Sequence, residues 1–254
     1  MLHRIKTIAG HALRGLDGEL GSIEEFYFDD RHWTIRYLVA DTGGWLGGRK
    51  VLISPYALSS IDNKGKTVSI SLTKKQIEDS PAIESDKPVS RQDEKIQHDY
   101  YGWPVYWVGD YMWGAYSTYP YLVRDRDKWA KPDPNKAGWD SNLRSTKHVT
   151  GYHIQATDGE IGHVEDFILD DETWAIRYLI IDTKNWWPGK KVLVSPQWIE
   201  RVSWSEERVH VRLSRESIKR SPAYTEEMLV TRDFESQLHI HYQSKAYWTD
   251  DLGI

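Results

Sequence analysis

The chain has 254 residues, 39% hydrophobic and 28% charged, with a net charge of −5, a balance that suits a folded globular protein and excludes wholesale disorder. Cysteine is absent, which removes disulfides, thiol nucleophiles, iron–sulfur clusters and thiolate zinc sites together and fits the reducing cytoplasm, the expected location. The acidic balance offers no basic footprint for nucleic acid. No apolar run reaches the ~20 residues of a membrane span, and Met1–Lys6 lacks the apolar stretch of a secretory signal.

In chain order, the first clear signal is Asp17-Gly18, a two-residue hairpin turn that joins a strand near Ala12–Leu16 to one near Glu19–Phe28. The acidic loop Asp29-Asp30-Arg31-His32 leads into a third strand, Trp33–Asp41, rich in β-branched and aromatic residues. Gly43 to Lys50 has the glycines of a phosphate loop, but the strand Val51–Ile53 follows where such a loop opens a helix. Thr67–Leu72 is a further short strand, and Thr73 caps a short helix that Ser80-Pro81 ends. Ten aromatic residues then fall between Tyr100 and Tyr121, followed by a charged Pro/Asn/Gly linker.

A shift of 141 residues lays the second part of the chain on the first without a gap. Asp17-Gly18-Glu19 falls on Asp158-Gly159-Glu160, Ile35-Arg36-Tyr37-Leu38 on Ile176-Arg177-Tyr178-Leu179, Lys50-Val51-Leu52 on Lys191-Val192-Leu193, Ser54-Pro55 on Ser195-Pro196, and Tyr106-Trp107 on Tyr247-Trp248. Roughly a third of ~100 aligned positions are identical, which marks two domains of one fold. The expected partition is repeat 1 over residues 1–107, a linker or insert over 108–141, and repeat 2 over 142–254.

The pattern D-G-E-x-G, E-x-F, D-D, W-x-I-R-Y-L, D-T, G-x-K-V-L, S-P, carried by residues 10–82 and again by 151–223, resembles the PRC-barrel family, the barrel module of the photosynthetic reaction-centre H subunit. The resemblance implies a mainly all-β protein: two small antiparallel barrels in tandem with short helices and an aromatic-rich connection. It implies a binding or assembly module rather than an enzyme.

Side chains capable of chemistry read mostly as structural. Asp17, Glu19, Glu24, Glu25, Asp29 and Asp30 recur as acids in the second repeat, yet their spacing lacks the alternating ligands of a calcium loop and suits turns. His239-Ile240-His241 would set two imidazoles on one face of a tail strand, with no third ligand in view. Arg49-Lys50 and Lys190-Lys191 offer a weak anion-binding reading. Ser54 and Ser195 read as turn residues. No catalytic, cofactor or metal residue is assigned. If the Asp29–His32 loop holds four residues, Glu25 faces Arg36, and Asp166 faces Arg177 by the same arithmetic, giving two cross-strand ion pairs.

The repeated aromatics Tyr101, Tyr106 and Trp107 are expected to pack on the barrels. The unmatched ones, Tyr111, Trp113, Tyr116, Tyr119 and Tyr121, are the expected docking surface for another protein, since Trp and Tyr dominate interface hot spots. Self-association is the second partner expected, by a pseudo-two-fold relation between the repeats. Two alternatives are a carbohydrate or small-ligand site on the Trp/Tyr surface and a hydrolase built on paired carboxylates.

Overall fold

The first repeat opens with β1 (Leu2–Arg4) and a single helical turn, α1 (Ile5–Ile8), and then builds a sheet from β2 (Ala12–Gly15), β3 (Gly18–Asp29), β4 (Thr34–Asp41), β5 (Lys50–Ile53), β6 (Leu58–Asp62) and β7 (Thr67–Ile70). The computed structural model describes residues 1–47, 49–82, 89–109, 111–114, 142–183 and 190–249. Hydrogen-bonded neighbours run β5-β4-β3-β2-β7-β6. All pairs are antiparallel except β2 with β7, which run parallel. The path is open at β5 and β6 rather than closed into the expected ring. Two helices follow, α2 (Lys74–Glu78) and α3 (Arg91–Tyr101).

The Asp17-Gly18 turn is where the sequence placed it, and Asp17 has a second task. Its Oδ1 accepts from the Lys74 backbone N–H at 2.8 Å, so the hairpin turn caps α2. Thr73 and Gln76 close a reciprocal capping box on the same helix. Leu13, Leu20, Ile23, Phe26, Ile35, Leu38 and Val68 form a buried core. Seven of the eight β4 residues are buried, as in a strand covered on both faces.

The second repeat starts with β8 (Leu143–Ser145) and a turn of helix, α4 (Thr146–Val149). Its sheet comprises β9 (His153–Ala156), β10 (Gly159–Asp170), β11 (Ile176–Asp182), β12 (Lys191–Val194), β13 (Ile199–Ser203) and β14 (Arg208–Val211), followed by α5 (Arg215–Arg220) and α6 (Arg232–His241). The order β12-β11-β10-β9-β14-β13 repeats the first sheet, including the parallel pair β9 with β14. Asp158 accepts from the Arg215 N–H at 2.7 Å, the counterpart of Asp17 on Lys74.

The compact units depart from the expected partition. The described residues of 142–147, together with Asp170–Ala175, group with the first unit, and Leu2 groups with the second. Within the first unit β8 pairs with the far half of β3: Tyr27 with Ser145, Phe28 with Arg144, Asp29 with Leu143. The Asp170–Ala175 turn joins it through a backbone bond from Ile35 N–H to Trp174 O at 2.8 Å.

Two expected ion pairs are corrected by the register. Asp29 faces Thr34, Phe28 faces Ile35, and Tyr27 faces Tyr37, so Arg36 is the extra residue of a bulge and Glu25 lies opposite Val39. The turn is reshaped because Trp33 adopts a left-handed backbone, φ 51°, and Asp29 Oδ1 accepts from the His32 N–H at 2.7 Å. Arg36 therefore pairs with buried Asp29, and Glu25 accepts from Ser145. In the second repeat Trp174 has φ 60°; Asp166 faces Ile180, and Arg177 takes the bulge position.

Candidate functional site

The strongest concentration of chemistry-bearing side chains sits where α3 meets β4. Ser90 caps α3 and shares a capping box with Asp93, and left-handed Gly102 ends the helix. Arg91, Glu94 and His98 stand at i, i+3 and i+7, which places all three on one face. That face is buried although every member is polar.

Glu94 is the hub. Its Oε2 accepts from Tyr37 of β4 at 2.9 Å and from Tyr106, while Oε1 lies 2.8 Å from Arg91 Nη1. Arg91 also donates to the Tyr106 hydroxyl at 3.0 Å. His98 Nε2 is 2.9 Å from the Tyr37 hydroxyl, and its Nδ1 is 2.9 Å from the Pro104 carbonyl. Arg36 lies over the Tyr106 ring at 4.0 Å and near the Trp113 ring at 4.6 Å. Burial raises the Glu94 carboxyl to about 7, opposed by Arg91 and the two phenols. Burial lowers His98 to about 3. Tyr37 and Tyr106 are pushed well up by burial and then by the Glu94 charge.

The second repeat holds the same cluster. Thr231 caps α6. Tyr178 is 3.0 Å from Glu235 Oε1 and 3.1 Å from His239 Nε2. Tyr247 donates to Glu235 at 2.8 Å, Arg232 reaches the Tyr247 hydroxyl at 3.1 Å, and Arg177 lies 3.9 Å over the Tyr247 ring. The two clusters differ in their rims: the Arg91 side chain is 7% exposed and that of Arg232 55%.

The other sequence candidates are placed as follows. Trp113 is buried, not presented: its Nε1 donates to the Thr173 carbonyl at 2.9 Å and its ring meets Tyr56 edge-on at 5.3 Å. Tyr111 is 58% exposed. Tyr116, Tyr119 and Tyr121 lie outside the described residues. Of the repeated aromatics Tyr101 and Tyr106 are buried, as expected, and Trp107 is half-buried with its ring 5.0 Å from that of His98; Trp103, which has no aromatic counterpart in the second repeat, is buried as well. His239 and His241 are on a helix rather than a strand; His239 enters the cluster and His241 contacts the Ser217 carbonyl.

The basic pairs are engaged. Arg49 holds Ile77 O at 2.7 Å and Ser80, and Lys50 pairs with Glu24 at 3.0 Å; Lys190 reaches Ser221 O, and Lys191 pairs with Glu165 at 2.7 Å. Ser54 and Ser195 accept from the N–H groups two residues on, as turn residues do. Among the described residues no group of three or more His, Asp or Glu is placed to hold a metal, and no helix is long and apolar enough to cross a membrane.

Sequence reasoning missed the cluster because the side chains that α3 and α6 turn toward it are polar. The signal was nevertheless present: Arg91, Glu94, His98 and Tyr106 recur 141 residues later as Arg232, Glu235, His239 and Tyr247.

Two β-rich repeats with one strand order, each with a helix bound to its sheet through a buried tyrosine, Tyr37 or Tyr178, define a tandem barrel-type module. The PRC-barrel domain profile matches residues 5–77 and 149–218, more than half of the chain, so the chain belongs to the PRC-barrel domain family. Both matches stop before α3 and α6, so the clusters join family positions Arg36, Tyr37, Arg177 and Tyr178 to helices beyond the matched spans. The chain is also similar to an uncharacterized protein of Deinococcus radiodurans, 29% identical over 92 residues that cover 34% of this chain and 33% of the relative. It spans about a third of that relative's length.

Proposed function

We propose that this chain is a non-catalytic module for protein binding or assembly, working in the cytoplasm without a cofactor. The observation that carries the reading is strand addition on β3. The far half of β3 extends past the residues paired with β2 and takes β8 as an extra antiparallel strand. Side chains fasten the added strand: Ser145 on Glu25, Arg144 on Asp30 at 2.9 Å, and Thr146 on both the N–H and the carbonyl of Phe26 at 3.3 and 3.2 Å. Main-chain pairing with side-chain anchors is how β-addition modules hold partners. Exposed Ile96 and Tyr100, one turn apart on α3, and exposed Tyr111 supply apolar surface for such a partner.

The alternatives draw less support. A stacking platform for sugars needs open ring faces, whereas Trp103, Tyr106 and Trp113 are buried. A hydrolase needs its acids free to meet substrate, whereas among the paired acids Asp17 caps α2, Glu24 pairs with Lys50 and Asp29 with Arg36.

The test is sedimentation of the full chain across concentrations, with crosslinking to partners that excess unlabelled chain displaces. An Ile96→Asp/Tyr100→Ser/Tyr111→Ser variant with unchanged circular dichroism should lose both self-association and displaceable partners. A wild type that stays monomeric and holds no displaceable partner overturns the reading, as does substrate turnover abolished by Glu94→Gln.

A further inference from the structure

The first cluster is one hydrogen short. His98 Nδ1 faces the Pro104 carbonyl at 2.9 Å; a carbonyl only accepts, so Nδ1 carries the imidazole hydrogen. In the neutral ring Nε2 is then a lone pair, 2.9 Å from the Tyr37 hydroxyl. That hydroxyl also lies 2.9 Å from Glu94 Oε2. The Tyr106 hydrogen is committed to Glu94, because the Tyr106 oxygen takes the donor of Arg91. With Glu94 ionised and His98 neutral, one Tyr37 hydrogen serves two acceptors, and one of its two contacts sets lone pair against lone pair.

We propose that the Glu94–Tyr37–His98 chain is a binding site for a single proton, which enters at Glu94 Oε2. With that proton in place Glu94 donates to the Tyr37 oxygen, Tyr37 donates to His98 Nε2, and His98 donates to Pro104, so every contact has its hydrogen. The charge on Glu94 is removed in the same step, and its ion pair with Arg91 weakens. Proton occupancy therefore sets which hydrogen bonds tie α3 to β4: Tyr37 to Glu94 alone when empty, the completed chain through Tyr37 to His98 when filled.

The groups facing Glu94 bear on the equilibrium from each side. Arg91 on α3 and Arg36 on β4 favour the ionised form; Asp29 on β3 offsets Arg36 through their ion pair. Tyr37 and Tyr106 donate to the carboxylate, and His98, held neutral by burial, contributes no charge. Complete burial of Glu94 opposes ionisation and places its titration near neutrality.

The direct measurement is a carbon-13 NMR pH titration of Glu94 Cδ in the full-length protein, assigned by its loss in Glu94→Gln. A midpoint near neutral pH, moved by at least one unit in Tyr37→Phe, supports the proposal. A Glu94 signal that titrates with the exposed carboxylates, or a midpoint indifferent to Tyr37→Phe, overturns it. Should Glu94→Gln fail to fold, selective labelling of the wild type with Tyr37→Phe as reference decides the same question. A nitrogen-15 spectrum of His98 adds an independent readout: a neutral ring with hydrogen on Nδ1 across the transition agrees with the proposal, and a ring that protonates in its place contradicts it.

Discussion

Arg36 lies with its guanidinium carbon 4.0 Å above the centre of the Tyr106 ring. The contact exists because the β4 bulge turns an arginine of the most apolar strand toward the segment that follows α3. The same guanidinium forms an ion pair with buried Asp29, so charge, ring and turn depend on one side chain.

Replacing Arg36 by Met is expected to cost about 3–5 kcal/mol, since it strands Asp29 as a buried charge. Adding Asp29→Asn should recover about 1–2 kcal/mol: the amide oxygen still accepts from His32 N–H, and the unpaired charge is gone. Urea unfolding of the wild type, both single variants and the double variant checks the cycle. Strict additivity would show that the pair is uncoupled.

Gly21 has φ 125°, and a Cβ there meets the Asp41 carbonyl oxygen at 2.0 Å. Gly21→Ala is therefore expected to destabilise by about 2 kcal/mol or more, through clash as well as backbone strain. Gly10→Ala, with φ 83° and nothing within 4 Å, should cost only about 1 kcal/mol from strain alone. Thermal melts of the two variants should differ in that order.

Trp113→Ala is expected to lower stability by about 3–5 kcal/mol, because a buried ring leaves a cavity and its hydrogen bond to the Thr173 carbonyl is lost. Tyr111→Ala, two residues away and exposed, should change it by no more than about 0.5 kcal/mol. Equal melting temperatures for the two would return Trp113 to the role of a docking residue.

His98 supplies the acid-side pH dependence. Burial lowers its pKa to about 3 in the folded protein, while the unfolded chain protonates near the ordinary imidazole value of about 6.5. Between those values the unfolded state binds more protons, so this group's contribution falls as pH drops, at up to about 1.4 kcal/mol per unit. Glu94, raised to about 7, has the opposite slope from there down to the usual carboxylate range. A His98→Gln variant should consequently gain on the wild type as pH is lowered from 6.5 to 4, measured by urea midpoints. A constant difference between the two proteins would show that His98 does not titrate in this window.

The sequence by itself determined the duplication, the hairpin at Asp17-Gly18, the capped helix after Thr73 and the mainly β character, because these rest on local turn chemistry and short-range alternation. Tyr101, Tyr106 and Trp107 were legible as packing residues from their recurrence alone. The partner of Arg36 was not legible: the left-handed backbone at Trp33 and the bulge at Arg36 together move the residue opposite Glu25 by three, from Arg36 to Val39, and any such slip changes every cross-strand neighbour. The helices α3 and α6 escaped for a different reason. The polar side chains they bury, Arg91, Glu94 and His98 on α3 and Glu235 and His239 on α6, read as solvated until Tyr37 and Tyr106, or Tyr178 and Tyr247, come to satisfy them. Whether a polar side chain is buried depends on partners distant in the chain, and only the tertiary structure brings Glu94 and Tyr37, 57 residues apart, into hydrogen-bonding contact.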